Sequence, residues 1–113
     1  MLKSDNKLKK RKEFAYLYNN GQAKHTAHLT LVYLPTKNRK LKIGFSVSKK
    51  IGKAHVRNLV KRRLRIVVAD IVKKLPDNYN MVVIAKSGIQ EITFAELKKE
   101  CDAVFNKTSL VKE

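Results

Sequence analysis

The sequence is poor in the residues that small proteins use for covalent or metal-based stabilisation. Of its 113 residues one is a cysteine, Cys101, which excludes an internal disulfide framework and a cysteine zinc site. Tryptophan is absent, proline occurs twice and glycine four times. Linkers of the Gly/Ser/Pro kind and internal repeats are missing, so one unit over residues 1–113 is expected, with 1–12 as a basic and flexible lead-in. No segment approaches the roughly 18 to 20 apolar residues that a membrane span requires. The longest candidate, IVVADIV, is interrupted by Asp70. The opening MLKSDNKLKKRKEF is basic but runs into no apolar stretch of the secretory kind. The cytoplasm is therefore the expected compartment.

Acids are scarcest of all where bases are densest. The chain has 9 Asp plus Glu against 26 Lys plus Arg, a formal net charge of +17. The first 65 residues hold 19 of the basic residues and two acids, Asp5 and Glu13, whereas residues 66–113 hold seven of each sign. From Phe14 to Ala69 there is no acid. A domain without a special partner intersperses the two signs to limit self-repulsion, so this imbalance points to a polyanion. Nucleic acid is the first candidate and an anionic membrane surface the second. An apolar fraction of 43% is enough for a modest core and too much for a disordered basic tail.

What is present reads as alternating helix and strand. Residues 14–20 fit a short helix with Ala15 and Leu17 inward, ended by Asn20-Gly21. LTLVYLP (29–35) is a strand, TKNRK a polar turn, and LKIGFSVS (41–48) a strand with Leu41, Ile43, Phe45 and Val47 on one face. These two strands are expected to pair as an antiparallel hairpin. From about Ala54 to Leu75 the period becomes helical: Val56, Val60, Leu64, Val67, Ile71 and Leu75 fall at steps of 4, 4, 3, 4 and 4. Pro76-Asp77-Asn78 breaks the chain before YNMVVIAK (79–86), a strand apolar on both alternations and so covered on both sides. Thr93 to Glu96 is a capping box that opens a last helix with Phe94, Leu97, Cys101, Val104 and Phe105 inward and Glu96 and Glu100 outward. The pattern is α+β, three helices with a small mixed sheet.

Chemistry concentrates on the long helix. At about 100° per residue, Arg57, Lys61 and Arg65, with Asn58 and Arg62, occupy a sector of roughly 140° beside the apolar stripe. A solvated charged face is the bland reading. However, none of these cations has an acid three or four residues away within the segment, so like charges repel at a cost of a few tenths of a kcal/mol per pair. Phosphates would neutralise that repulsion. A membrane surface fits less well, because the face backs onto the core stripe and has no Trp or Phe among its charges. Ser48, Lys49, Lys50, Gly52 and Lys53 join strand to helix with backbone amides and cations suited to a phosphate, although the P-loop spacing is absent. Protein-based metal hydrolysis needs clustered carboxylates, which this half lacks. His25, His28 and His55 are scattered over a loop, a strand start and a helix start. No catalytic and no metal-binding residue is assigned. Phe14 and Tyr18, one helical turn apart, either stack on unpaired bases or anchor a short helix in the core.

The segment KIGFSVSKKIGKAHVRNLVKRRLR (42–65) resembles the signature of the bacterial ribonuclease P protein subunit, where I-G-F-S-V-S-K-K leads through I-G-K-A into a helix bearing R-N-R-x-x-K-R-x-x-R. The likeness extends over nearly the whole chain, through Phe14, Tyr18 and Gly21 to VVIAK (82–86). One departure is Leu59, where the family usually has arginine. The resemblance implies a ribosomal protein S5 domain 2-like fold: a four-stranded mixed sheet, three helices and a left-handed βαβ crossover, against a right-handed preference of about 98%. It implies a subunit of a ribonucleoprotein endonuclease that removes the 5′ leader of precursor tRNA, with the catalytic groups in the RNA and Mg²⁺ held mainly by the RNA. The implied partners are the catalytic RNA and precursor tRNA, with no DNA and no membrane. Lys49, Lys50, Lys53, Arg57, Asn58, Lys61, Arg62 and Arg65 are then expected to face the catalytic RNA. Phe14, Tyr18, Thr30, Val32, Lys42, Ser46 and Ser48 are expected to face the leader. A structural ribosomal RNA-binding protein would share the size and charge but lacks this long motif.

Overall fold

The strand that organises the molecule is the last in the chain. The computed structural model describes Leu8, residues 11–37 and residues 40–111; most of the basic lead-in lies outside the described residues. The elements are α1 (Arg11–Asn20), β1 (Gln22–His25), β2 (Leu29–Pro35), β3 (Lys42–Ser46), a short 3-10 turn at Lys49–Ile51, α2 (Ala54–Val72), β4 (Tyr79–Ala85), a second such turn at Ile89–Glu91, and α3 (Phe94–Asn106). They form the α+β arrangement of three helices and one mixed sheet, with strand order β1-β2-β4-β3.

The expected β2–β3 hairpin does not form. β4 lies between them, antiparallel to β2 from Leu29↔Ala85 to Pro35↔Tyr79 and parallel to β3 from Lys42↔Asn80 to Ser46↔Ile84. Burial explains the choice. Met81, Val82 and Val83 are each 0% exposed, and a strand apolar on both faces gains most in the middle of a sheet covered on both sides. The connection after β2 is long enough to pass over the end of β4, where the Thr36 N–H donates to the Asn78 carbonyl at 2.8 Å. The hairpin that does form is β1–β2, in register from Gln22↔Tyr33 to His25↔Thr30. β1 is too short and polar to be visible in the sequence pattern. At the other edge the Leu8 N–H donates to the Ile43 carbonyl at 3.0 Å.

Two cores follow from the alternation. Leu29, Leu31, Tyr33, Ile43, Met81 and Val83 face α2 and α3, meeting Val60, Leu64, Val67, Val68, Leu97, Cys101, Val104 and Phe105. Burial pushes the Cys101 thiol up to about 12, with Asp102 and Glu100 adding to it, so it is an inert core residue. On the opposite face Val32 and Val82 meet Leu8 and Leu17, with Phe14, Leu34 and Ile84 packed around them. Two residues expected inside are outside. Ala15 is exposed because α1 buries only a single ridge through Leu17, and Phe94 is 43% exposed because α3 does not dock until Leu97.

Glu100 departs from expectation in the other direction. Instead of facing outward it turns to the loop between β1 and β2, accepting from Thr26 Oγ1 at 2.8 Å, the His28 N–H at 2.7 Å and His28 Nδ1 at 2.7 Å. Lys86 Nζ donates to the Thr26 carbonyl and Lys107 Nζ to the His25 carbonyl, so the loop is tied to the rest of the molecule from three sides. Burial alone raises the Glu100 carboxyl, but the bonds from His28 and Thr26 outweigh it and leave the group below its ordinary 4.5. A depressed carboxylate stabilises the fold above its unfolded value and loses that contribution as pH falls through the folded one. Glu100→Gln is therefore expected to lower the thermal midpoint by roughly 5 °C at neutral pH. Melting curves of the two proteins should converge as the pH drops below 4.5. A gap that persists in acid would show that the carboxylate's charge is not what holds the loop.

Candidate nucleic-acid interface

The stripe of α2 behaves as its spacing requires. Val60, Leu64, Val67 and Ile71 are buried. Beside them Lys49, Lys50, Lys53, Asn58, Arg62 and Arg65 are exposed, and Arg57 and Lys61 are half-buried at the margin. Arg57, Lys61 and Arg65 thus form a row about 12 Å long, one residue per turn. Among the described residues the carboxylate pairs are His28–Glu100 and Lys42–Glu13, and neither touches this row. Arg57 Nε is buried without a hydrogen-bond partner. The start of α2 is also open: Lys53 precedes it without a side-chain cap, and Gly52 reaches it with φ 155° and ψ −167°, a conformation suited to glycine. Amide N–H groups and lysines at 49, 50 and 53 therefore face solvent together, an arrangement that favours phosphate oxygens.

The other set of expected residues meets on the opposite face of the sheet. Register places Ser46, Ile84, Thr30 and His25 in one row across all four strands, and Gly44, Val82, Val32 and Ala23 in the next. α1 covers the second row, with Leu17 buried beside Val32 and Val82. A third row carries Lys42 and Asn80. Lys42 Nζ lies 3.5 Å from Glu13 Oε2, so the sheet and α1 are joined by an ion pair as well. Beyond β3 the first row runs on toward exposed Ser48 and the start of α2.

The structure assigns these residues different positions. Tyr18 is 45% exposed, and its ring lies 6.4 Å from that of Phe14 at 46°. Phe14 is half-buried, standing over Gly44. Val32, 6% exposed beneath α1, supports the face and does not line it. Thr30 is 9% exposed, and its hydroxyl lies 3.0 Å from His25 Nδ1. His25 and half-buried Ile84 belong to the first row, although nothing in the sequence pattern singles them out. His25 looked like loop because β1 has no apolar alternation, and Ile84 is indistinguishable from its buried neighbours without the register.

The family model described as Ribonuclease P matches residues 2–109. The chain belongs to the ribonuclease P protein family. It is similar to the ribonuclease P protein component of Bacillus pumilus, 35% identical over 99% of this chain and 95% of the relative. It is 37% identical to that of Caldanaerobacter subterraneus subsp. tengcongensis over 95% of this chain and 92% of the relative. The fold matches that of the Staphylococcus aureus RNase P protein, with a TM-score of 0.88 at 22% identity, covering 95% of this chain and 98% of that one. For the RNase P protein of Thermotoga maritima the TM-score is 0.77 at 20% identity, covering 87% and 94%.

The chain is thus a protein component of ribonuclease P, an enzyme of tRNA processing that works as a ribonucleoprotein. Membership of that family implies an RNA partner. No helix among the described residues is long and apolar enough to cross a membrane. α2 and α3 lie over one face of the sheet and α1 over the other.

Proposed function

We propose that this chain binds the catalytic RNA of ribonuclease P through α2 and the preceding turn, and holds the 5′ leader of precursor tRNA against the row between α1 and the start of α2. The observation that carries this reading is the uncompensated row of Arg57, Lys61 and Arg65, continuous with Lys49, Lys50 and Lys53 and set apart from α1, which bears Tyr18, and from the sheet face that bears Ser46.

Each part has a physical role. Arg57, Lys61, Arg62 and Arg65, with Asn58, give charge-assisted bonds to phosphates of a folded RNA. The leader is single-stranded, and single strands are held by stacking on aromatic faces combined with cations along the backbone. Tyr18 supplies the exposed ring, Phe14 positions it, Ser46 and Ser48 offer hydroxyls, and Thr30 and Val32 support the floor. Lys42, whose charge is shared with Glu13, contributes less than the free cations of α2. Mg²⁺ ions that activate water are assigned to the RNA. The chain's residues do not suit such an ion, since Glu13 is held by Lys42 and the described residues contain no cluster of acids and histidines with metal-ligand geometry. The protein raises Mg²⁺ and substrate affinity by supplying positive charge and a second hold on the precursor.

Reconstitution tests this reading. Cleavage of precursor tRNA by ribonuclease P RNA at low Mg²⁺ is expected to accelerate when the chain is added, and precursor is expected to bind more tightly than mature tRNA. No gain, together with ordinary binding to ribosomal RNA, would establish a structural ribosomal role instead. Within the holoenzyme, Tyr18→Ala is expected to reduce the preference for precursor over mature tRNA about tenfold, the loss of one base stack. Binding of the bare catalytic RNA should stay unchanged.

A further inference from the structure

α2 carries two large apolar side chains that stay nearly half exposed among the described residues. Leu59 is 45% and Ile66 47% exposed, while every position of the core stripe from Val60 to Ile71 is buried. They are seven residues apart, so both point the same way, about 10 Å from each other along the axis. On the helical wheel this direction falls between Arg62 and Arg63, next to the basic row and away from the core. Helix formation does not explain either choice. Arginine and lysine are as good as leucine in a helix, and isoleucine is worse because its branched Cβ crowds the preceding turn. Single exposed apolar residues are ordinary. Two in line, set among arginines on a helix with no acid before Asp70, are not.

We propose that Leu59 and Ile66 form an apolar ridge that packs on unpaired bases of the catalytic RNA, extending the phosphate contacts of α2 by contacts that carry no charge. The inference rests on the reading that α2 faces that RNA. Charge complementarity commits it to RNA. Along the helix the order is Leu59, then Arg62 and Arg63, then Ile66, which is apolar, basic, apolar at intervals of about 5 Å. A single strand or loop of RNA presents the complementary alternation of base faces and phosphates.

The test compares the full wild-type chain with Leu59→Gln/Ile66→Gln, glutamine being a helix former of similar length. Affinity for ribonuclease P RNA is measured over a range of salt, and base reactivity of the RNA is probed chemically in both complexes. The double variant is expected to bind about tenfold more weakly at every salt concentration, with an unchanged log–log slope because no charge is lost. At least one unpaired base shielded by the wild type should become reactive again. If the double variant is unstable in a melting experiment, Leu59→Gln alone is expected to show about a threefold loss with the same constant slope. Affinity within twofold of wild type overturns the proposal even when wild-type binding is strong. So does a change seen only in self-association by light scattering, which would make the ridge a contact between copies of this chain. A wild-type chain that does not bind the RNA at all would overturn the underlying reading of α2 as well.

Discussion

Replacing Arg57 and Lys61 together by alanine is expected to weaken binding of ribonuclease P RNA on the order of 100-fold and to flatten its salt dependence by roughly 1.5 in log–log slope. Each side chain is taken to neutralise one phosphate, and each phosphate contact contributes about 0.7 to 0.9 to the slope. A loss of stability would produce a similar drop in affinity, so the sign of the stability change decides the interpretation. Arg57, Lys61 and Arg65 repel one another at i,i+4 with no acid on the same face, and Arg57 Nε is buried without a partner. Removing two of the charges relieves that repulsion by a few tenths of a kcal/mol per pair, relieves a buried donor of its unmet bond, and places alanine in a helix interior. The double variant should therefore melt at the same temperature as the wild type or slightly higher while binding RNA far more weakly. A lower melting temperature, or a slope equal to that of the wild type, would mean that the row is structural and the phosphates are met elsewhere.

The basic sector of α2 is open to sequence reading because one helix carries both that sector and the buried stripe. The buried stripe and the basic sector are local in sequence, and 3.6-residue periodicity alone separates them. The sheet was less legible for the opposite reason. Alternation identifies which residues of β3 share a face, as for Ile43 and Phe45, but it says nothing of which strands are neighbours. Insertion of β4 between β2 and β3 is decided by the competition for the doubly covered position, and only the finished core shows its result. The same holds for the row on the opposite face of the sheet. Ser46 was visible as a polar residue on the outer alternation of β3, whereas His25 and Ile84 join it in one row only through the register of four strands. Helical spacing places Glu100 outward, while three donors from a distant loop draw its carboxylate in.

Gly44→Val is expected to reverse the usual effect of such a change in a strand. Valine is ordinarily favoured over glycine there, by up to about 1 kcal/mol, because it restrains the chain and packs on a pleated surface. At Gly44 a Cβ would stand 2.5 Å from Phe14 Cζ, 2.8 Å from Phe14 Cε1 and 3.1 Å from Leu8 Cβ. The absent side chain is the seat of the Phe14 ring, and through it α1 reaches the sheet beside Leu17, Val32 and Val82. Valine must push the ring aside, so the fold is expected to lose about 1 to 3 kcal/mol, as in other overpacked cores. Phe14→Ala/Gly44→Val should recover part of that loss, since removing the ring makes room for the new methyl groups, and a thermodynamic cycle over the four proteins isolates the coupling. The functional consequence is specific to one surface. Tilting α1 moves Tyr18 away from its place beside Phe14, so the holoenzyme's preference for precursor over mature tRNA should fall by about tenfold. α2 packs on the other face of the sheet, and affinity for the catalytic RNA should hold within twofold. A Gly44→Val protein as stable as the wild type would refute the seat. One that binds both RNAs more weakly to the same degree would refute the division of the two RNAs between the two faces.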